Sequence, residues 1–438
     1  MKTRLFIKTL IASAVTFGLG FAMAAPYEII DLGKVEGGTN SFAYGINNAG
    51  EVVGYGNGPL SEDENGNLVR EFNSHALFFL DSGVLDLLAL EGGIASVALS
   101  INDGGVIVGY SDEVRTETTD EGNEIEIREN FATIFNGSGI TKIPGLDELT
   151  GAKAFDINNS GIVVGNAFVD LDDDDTTPNV NRGFVVNSSN GEGLVVLPSL
   201  REDPDGGQTH PLSINDNGDI VGWTQYDEDS DSAGIRGFLT NVSDPAQLEE
   251  LPNIGTLVTI ASDINNNGVI VGYARRRSNS TRTVAFKYDP ATDNELKQLP
   301  YFDSDYDNAT ANAINDNEQI VGQALVSVPT AGLNTGFLYE DGQLKDLNDL
   351  IPCDSGWRID SATNINNNGE IIGYGLREDV IDGETMFEVR AFKLEPTGDA
   401  VEVCETPDED DSDGGGSFSW FGLSLLALFG LRRKRNQQ

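Results

Sequence analysis

Seven copies of one decapeptide pattern run along this 438-residue chain, and their spacing limits the fold more than any other feature. They are INNAGEVVGY from Ile46, INDGGVIVGY from Ile101, INNSGIVVGN from Ile157, INDNGDIVGW from Ile214, INNNGVIVGY from Ile264, INDNEQIVGQ from Ile314 and INNNGEIIGY from Ile365. The intervals are 55, 56, 57, 50, 50 and 51 residues. A fixed period of this size marks one supersecondary unit used repeatedly, each burying its apolar face on the next.

Each copy is followed by an apolar strand (HALFF, FATIF, RGFVV, RGFLT, VAFKY, TGFLY, RAFKL) and, in six copies, by a further element such as LDLLAL, EELPNI or KDLNDL. With the small-residue stretch that leads into each "IN", this makes four short strands per repeat, rich in Val, Ile, Phe and Tyr and punctuated by Gly, Asn and Asp. Four strands in about fifty residues is the size of a propeller blade. The expectation is therefore an all-β chain, a seven-bladed β-propeller of four-stranded repeats. Asn, Asp and Gly between ALSIN and VIVGY predict a tight hairpin, and Asp341-Gly342 predicts another. The seventh repeat, ending near Leu394, lacks an outer strand, while the chain carries a spare one at Tyr27 to Gly33. Pairing the two would close the ring; AVEVCE from Ala400 to Glu405 is the rival for that place.

The termini carry other information. Lys2, Arg4 and Lys8, an apolar run from Leu10 to Phe21 and Ala22-Met23-Ala24 have the order of a secretory signal peptide over 1–24, with the mature chain starting at Ala25. The expected propeller spans 25–405. An acidic, glycine-rich linker follows over 406–416 and a short hydrophobic anchor helix with a basic tail over 417–438. Phe418 to Leu431 at about 1.5 Å per residue reaches only about 21 Å, short of a roughly 30 Å hydrocarbon core. Arg432, Arg433, Lys434 and Arg435 would hold its end on the cytoplasmic side. The chain has 27 basic and 71 acidic residues. Without the three basic residues of the leader and four of the tail, 20 basic residues face those 71, a net −51 for the mature body. Such a body repels nucleic acid and anionic membrane alike. Cys353 and Cys404 are the only cysteines, and export would place both where a disulfide can form.

Two resemblances follow from these motifs. The body from about Tyr27 to Leu394 resembles the extracellular HAF-repeat family, whose pattern DLG…A…IN…G…VVGY…HAF is closest in the first copy, DLGKVEGGTNSFAYGINNAGEVVGY with HALFF. That family is uncharacterised in function, so the resemblance implies fold and location. The tail GGGSFSWFGLSLLALFGLRRKR resembles the GlyGly-CTERM sorting signal. This implies cleavage near Gly414, Gly415, Gly416 and Ser417 by a rhombosortase-like protease, after signal peptidase has cut beyond Ala22 and Ala24. An ordinary membrane anchor is the alternative. Either way the protein is exported across the inner membrane, to the cell surface or beyond.

Chemistry is sparse in the sequence. Asp and Asn in the IND motif invite a calcium loop, but the residues that follow enter a strand and Glu318 replaces glycine in one copy, so a turn explains the motif better. Acid gathers in the variable links at Glu62 to Glu64, Asp112 to Glu129, Asp170 to Asp175, Asp227 to Asp231 and Glu378 to Glu384. Asp170 to Asp175 offers carboxylates for Ca²⁺, with simple solvation as the other reading. Arg275, Arg276, Arg277 and Arg282 form a basic exception. His75 and His210 are the only histidines; His210 reads as a structural loop residue. The other repeats place Phe131, Gly183, Gly237, Ala285, Gly336 and Ala391 at or near the position of His75. No catalytic residue, metal-ligand set or cofactor motif is nominated. The expected function is a non-catalytic binding or scaffold propeller at the surface, recognising a glycan, a protein or a divalent cation on its loop face. A polysaccharide hydrolase or lyase and a structural adhesion or surface-layer component are the alternatives.

Overall fold

The computed structural model describes residues 26–398, except 63–66, 119–122, 137–138, 171–179, 202–206, 230–231, 253, 255–257, 276–281, 303–307, 329–330 and 382–383. The chain divides into two units after Glu402, and the second, Val403–Gln438, lies wholly outside the described residues. So do the leader, all the expected processing residues, Cys404 and the AVEVCE segment.

The described chain is all-β. Six of the seven repeats form four strands paired antiparallel in sequence order. The first strands are Ser41–Ile46, Ser96–Ile101, Thr150–Ile157, Thr209–Ile214, Val258–Ile264, Ala309–Ile314 and Trp357–Ile365. Each ends on the isoleucine of the repeat motif and turns through it into the second strand. The seventh sheet takes its fourth strand from the other end of the chain. Tyr27–Gly33 pairs with Glu384–Pro396, from Tyr27↔Pro396 to Gly33↔Ala391, where the spare N-terminal strand was expected. The fourth and fifth sheets also share one parallel bridge, Ile235↔Val258. At Asp341-Gly342 both residues have positive φ, 52° and 78°, as a two-residue hairpin turn requires.

Every first strand carries a bulge just before its final isoleucine, and the glycine of the VGY motif faces it across the ladder. A Cβ on Gly222 would lie 2.0 Å from the carbonyl oxygen of His210, and one on Gly322 2.0 Å from that of Thr310. That approach demands glycine even though neither residue has a positive φ. The sequential fourth strands are short, from Val195–Val196 to Gly83–Asp86. Directly after them, Leu87, Ile143, Leu197, Leu251 and Leu299 donate their N–H groups to the third strand and bury their side chains.

Apolar side chains meet between sheets rather than within them. Val108 of the second sheet packs with Phe184 of the third, and Ile372 and Ala391 of the seventh pack with Ala43 and Val52 of the first. Seven such clusters join each sheet to the next and the seventh to the first. No sheet buries its faces alone, so each repeat depends on both neighbours for its core.

Two expectations require correction. Asp112 to Glu129 and Glu378 to Glu384 are not loops, because Ile107–Thr118 pairs with Glu124–Asn136 and Ile371–Ile381 with Glu384–Pro396. Alternating β-branched residues, Val114 and Thr116 on one strand and Ile125 and Ile127 on the other, extend this hairpin through its acidic stretch. His210 lies on the strand Thr209–Ile214 rather than in the link before it, paired with Trp223, and the adjacent Pro211 is accommodated at the bulge.

Candidate ligand-binding site

The repeat motif is a turn that also joins the sheets. Gly50, Gly105, Gly161, Gly218, Gly268 and Gly369 have φ between 75° and 81° at its fifth position, and Glu318 holds φ 62° there in the sixth copy. The asparagine at its second position is buried in every copy. Asn265 Oδ1 accepts from Asn267 N–H (3.1 Å) and Val269 N–H (2.9 Å), and its Nδ2 donates to the carbonyl of Asn315 in the next copy (2.9 Å). The same bond runs from Asn47 to Asn102, Asn158, Asn215, Asn265, Asn315 and Asn366, and Asn366 Nδ2 returns to the carbonyl of Asn47 at 3.0 Å. The circuit is closed.

A second circuit lies one residue further on. Asn48, Asp103, Asn159, Asp216, Asn266, Asp316 and Asn367 alternate amide and acid, and each N–H donates to the Oδ1 of the next. The second carboxylate oxygens accept from flanking amides, as Asp216 Oδ2 does from Asn159 (2.9 Å) and Asn266 (3.4 Å). Burial pushes the Asp103 carboxyl up, but bonds from Asn48 and Asn159 outweigh it and hold the group below its ordinary value. Seven is odd, so one junction, Asn367 to Asn48, has no acid.

Asp156 and Asp263 help line a cavity of about 180 Å³ bordered by these turns. Asp156 accepts from Ser100 Oγ (2.6 Å) and from Ile214 N–H (2.9 Å), tying three successive sheets, and burial pushes it up to about 6. Asp263 repeats the arrangement with Ser213 Oγ (2.7 Å) and Ile314 N–H (2.8 Å), and burial raises it too. These acids are held by donors from the protein itself.

The other residues singled out in the sequence are mostly structural. His75 Nδ1 meets Asp86 at 2.9 Å and its ring stacks on Phe72 at 3.6 Å. Strand register places Phe131, Arg182, Arg236, Val284, Thr335 and Arg390 at the position of His75, one residue before Gly183, Gly237, Ala285, Gly336 and Ala391. There Thr335 bonds Asp346, Arg236 bonds Glu250 and Arg390 bonds Asp31, so the position ties the third strand to the fourth. Asp112 is buried, accepting from Ile94 and Ala95 N–H and from Arg128. Of the expected calcium ligands only Asp170 is described, and among the described residues no group of three or more His, Cys, Asp or Glu is placed to hold a metal. Arg275 ends its strand and Arg282 is described; Arg276 and Arg277 lie outside the described residues.

A larger cleft of about 610 Å³ opens where the second, third and fourth sheets meet, at the strand ends away from the turns. Tyr110, Phe155 and Phe168 supply aromatic surface, and Phe168 is 44% exposed. Lys153 and Asn166 are cross-strand partners, and Asn166 Nδ2 donates to His210 Nδ1 at 2.7 Å. The His210 ring stacks on Trp223 at 4.0 Å, and burial lowers it to about 4, so it is neutral at pH 7 with its proton on Nε2. That Nε2 and Asn181 Oδ1, both at the cleft, are shielded from solvent and have no hydrogen-bond partner among the described residues. Burial also raises Tyr110, whose ring lies 4.5 Å below Lys153 Nζ. Lys153, Asn166 and Asn181 were not anticipated. The signal was present: Asn166 stands where the other copies have Tyr, Trp or Gln, and Lys153 is the one lysine at its place in the seven first strands.

Residues 91–251 and 246–434 match a family described as "Protein of unknown function (DUF3466)". The chain belongs to this family. No curated protein matches it. Among solved structures, an ulvan lyase of a polysaccharide lyase family is 9% identical, covering 84% of this chain and 94% of its own at a TM-score of 0.40. The acylaminoacyl peptidase of Pyrococcus horikoshii is 11% identical over 79% of this chain and 52% of its own, with a TM-score of 0.42. A puromycin-hydrolysing peptidase of Mycobacterium tuberculosis is 10% identical over 84% and 60%, at 0.41. Similarity this low carries no argument about the activity of the DUF3466 chain. Among its described residues no helix is long and apolar enough to cross a membrane.

Proposed function

We propose that this chain is an exported, surface-associated, non-catalytic binding propeller whose ligand is a glycan held in the cleft between the second, third and fourth sheets. The cleft carries the reading: aromatic faces stand beside side-chain amides, with a shielded donor at His210 Nε2 and a shielded acceptor at Asn181 Oδ1. A sugar hydroxyl both donates and accepts, and its C–H face packs on an aromatic ring. Buried polar atoms favour a ligand that completes their hydrogen bonds, and the volume falls in the usual range of small-molecule sites, about 300–1,000 Å³. Support for seven blades in one ring comes from the two closed hydrogen-bond circuits and from the seven clusters that return to the first sheet. The HAF-like copies agree with it.

A signal peptide over 1–24, a GlyGly-CTERM-like tail and a Cys353–Cys404 disulfide complete the proposal; the lack of a free thiol at Cys353 supports the last. Mass spectrometry of the released protein should find Ala25 first, an end near Gly414 to Ser417, and one linked cysteine pair. The principal experiment is a glycan array probed with the mature chain and with Asn181→Ala. Binding that is lost in the variant is the expected result; no bound glycan, or equal binding by the variant, would sink the reading.

A further inference from the structure

We infer that the cleft selects an acidic sugar, with Lys153 as the residue that reads its charge; this rests on the glycan reading above. The chain carries 71 acidic residues against 27 basic ones, and lysines here are ordinarily neutralised at home. Lys34 pairs with Glu388, Lys142 with Glu113, Lys287 with Glu318, Lys297 with Asp293, Lys345 with Glu340 and Lys393 with Glu395. Among the described residues, Lys153 is the single lysine without a carboxylate partner, and it is half-buried at the cleft. Taking an ammonium partly out of water without a counter-ion is unfavourable, and the Tyr110 ring beneath it offsets only part of that loss. A bound carboxylate would supply the rest.

The neighbouring groups narrow the ligand further. Lys153 is paired across the strands with Asn166, and Asn166 holds the neutral His210 ring so that Nε2 presents an N–H. Asn181, on the third strand of the same sheet, offers an acceptor. One cation, one neutral donor and one acceptor beside an exposed aromatic ring match a pyranose that carries a carboxylate together with free hydroxyls. That is a uronic acid, and a neutral hexose would leave the ammonium unpaired.

The test is titration calorimetry of the mature chain with a glucuronate hexasaccharide and with cellohexaose, its neutral counterpart. The uronate should bind at least about tenfold more tightly, the usual effect of a hydrogen bond to a charged group. Lys153→Met should weaken uronate binding at least about tenfold and so remove that preference, with an unchanged melting temperature; Lys153→Arg should restore most of it. Equal affinity for both sugars, or a Lys153→Met variant that keeps the preference, overturns the charge-reading role while glycan binding stands. If neither sugar binds and the array is also empty, the glycan reading falls as well.

Discussion

Replacing Asn265 by alanine tests the closed circuit at its most clearly defined link. The side chain makes three hydrogen bonds, accepting from Asn267 and Val269 N–H and donating to the carbonyl of Asn315. Asn265 is 4% exposed, and two of the groups left behind belong to residues as well covered, Val269 at 2% and Asn315 at 3%. At about 1 kcal/mol net for each bond, the loss is about 3 kcal/mol, rising towards about 5 kcal/mol because buried groups are left unmatched. Asn267→Ala is the control. Its Nδ2 bond to the Asp316 carbonyl, 2.9 Å long, lies in the open, so the change should cost no more than about 1 kcal/mol. Urea unfolding followed by tryptophan fluorescence gives both differences, provided the slope with urea is unchanged. Asn265→Asp adds a signed check. It keeps the acceptor but turns a carboxylate towards a carbonyl, which raises its folded-state pKa, so it should be least stable at neutral pH and recover as the acid protonates. If Asn265→Ala were no more harmful than Asn267→Ala, the circuit would be incidental to stability.

Two further perturbations have definite signs. Asp156 is raised from 3.8 to about 6 by burial, so its contribution to stability is fully present below about pH 4 and is lost as pH rises through about 6. Wild type should therefore lose up to about 3 kcal/mol more than Asp156→Asn between pH 4 and pH 7, and parallel pH profiles of the two unfolding midpoints would exclude the assignment. Gly322→Ala drives a methyl to 2.0 Å from the Thr310 carbonyl and should cost about 3 kcal/mol or more, whereas Gly342→Ala, in open space at φ 78°, should cost only about 1 kcal/mol; similar losses by thermal melting would reject close approach as the cause.

The strand plan was legible because it rests on local chemistry. Asn-Asp-Gly clusters turn the chain, β-branched runs extend it, and Tyr27 to Gly33 carries an Asp-Leu pair like Asp86-Leu87 and Asp346-Leu347 at the ends of two other fourth strands. Extension of the acidic hairpins was hidden because strand pairing continues wherever side chains alternate, whatever their charge, as Ile125 and Ile127 do among glutamates. The second circuit was legible and overlooked. Residues 48, 103, 159, 216, 266, 316 and 367 read N, D, N, D, N, D, N, the order required when each acid must accept from amides on both sides. The unpaired state of Lys153 could not be read, because pairing depends on which acids the fold brings within reach.

That contrast locates selection within the molecule. A position that must bond its counterpart in the next copy cannot drift alone, since a change there breaks one bond made and another received; this constrains all seven asparagines of the first circuit. At the opposite strand ends the described residues form no such ring, and the third copy departs from the others with Asn166, Lys153 and Asn181. Asn166 replaces an aromatic or long side chain, and by holding His210 across a sheet boundary it makes the His210 Nε2–H and the Lys153 ammonium features of one cleft. A substitution that only maintained the fold would not leave a cation, a donor and an acceptor together without partners of their own. Repetition thus builds the frame, and the unpartnered groups of the cleft gather around the copy that departs from it.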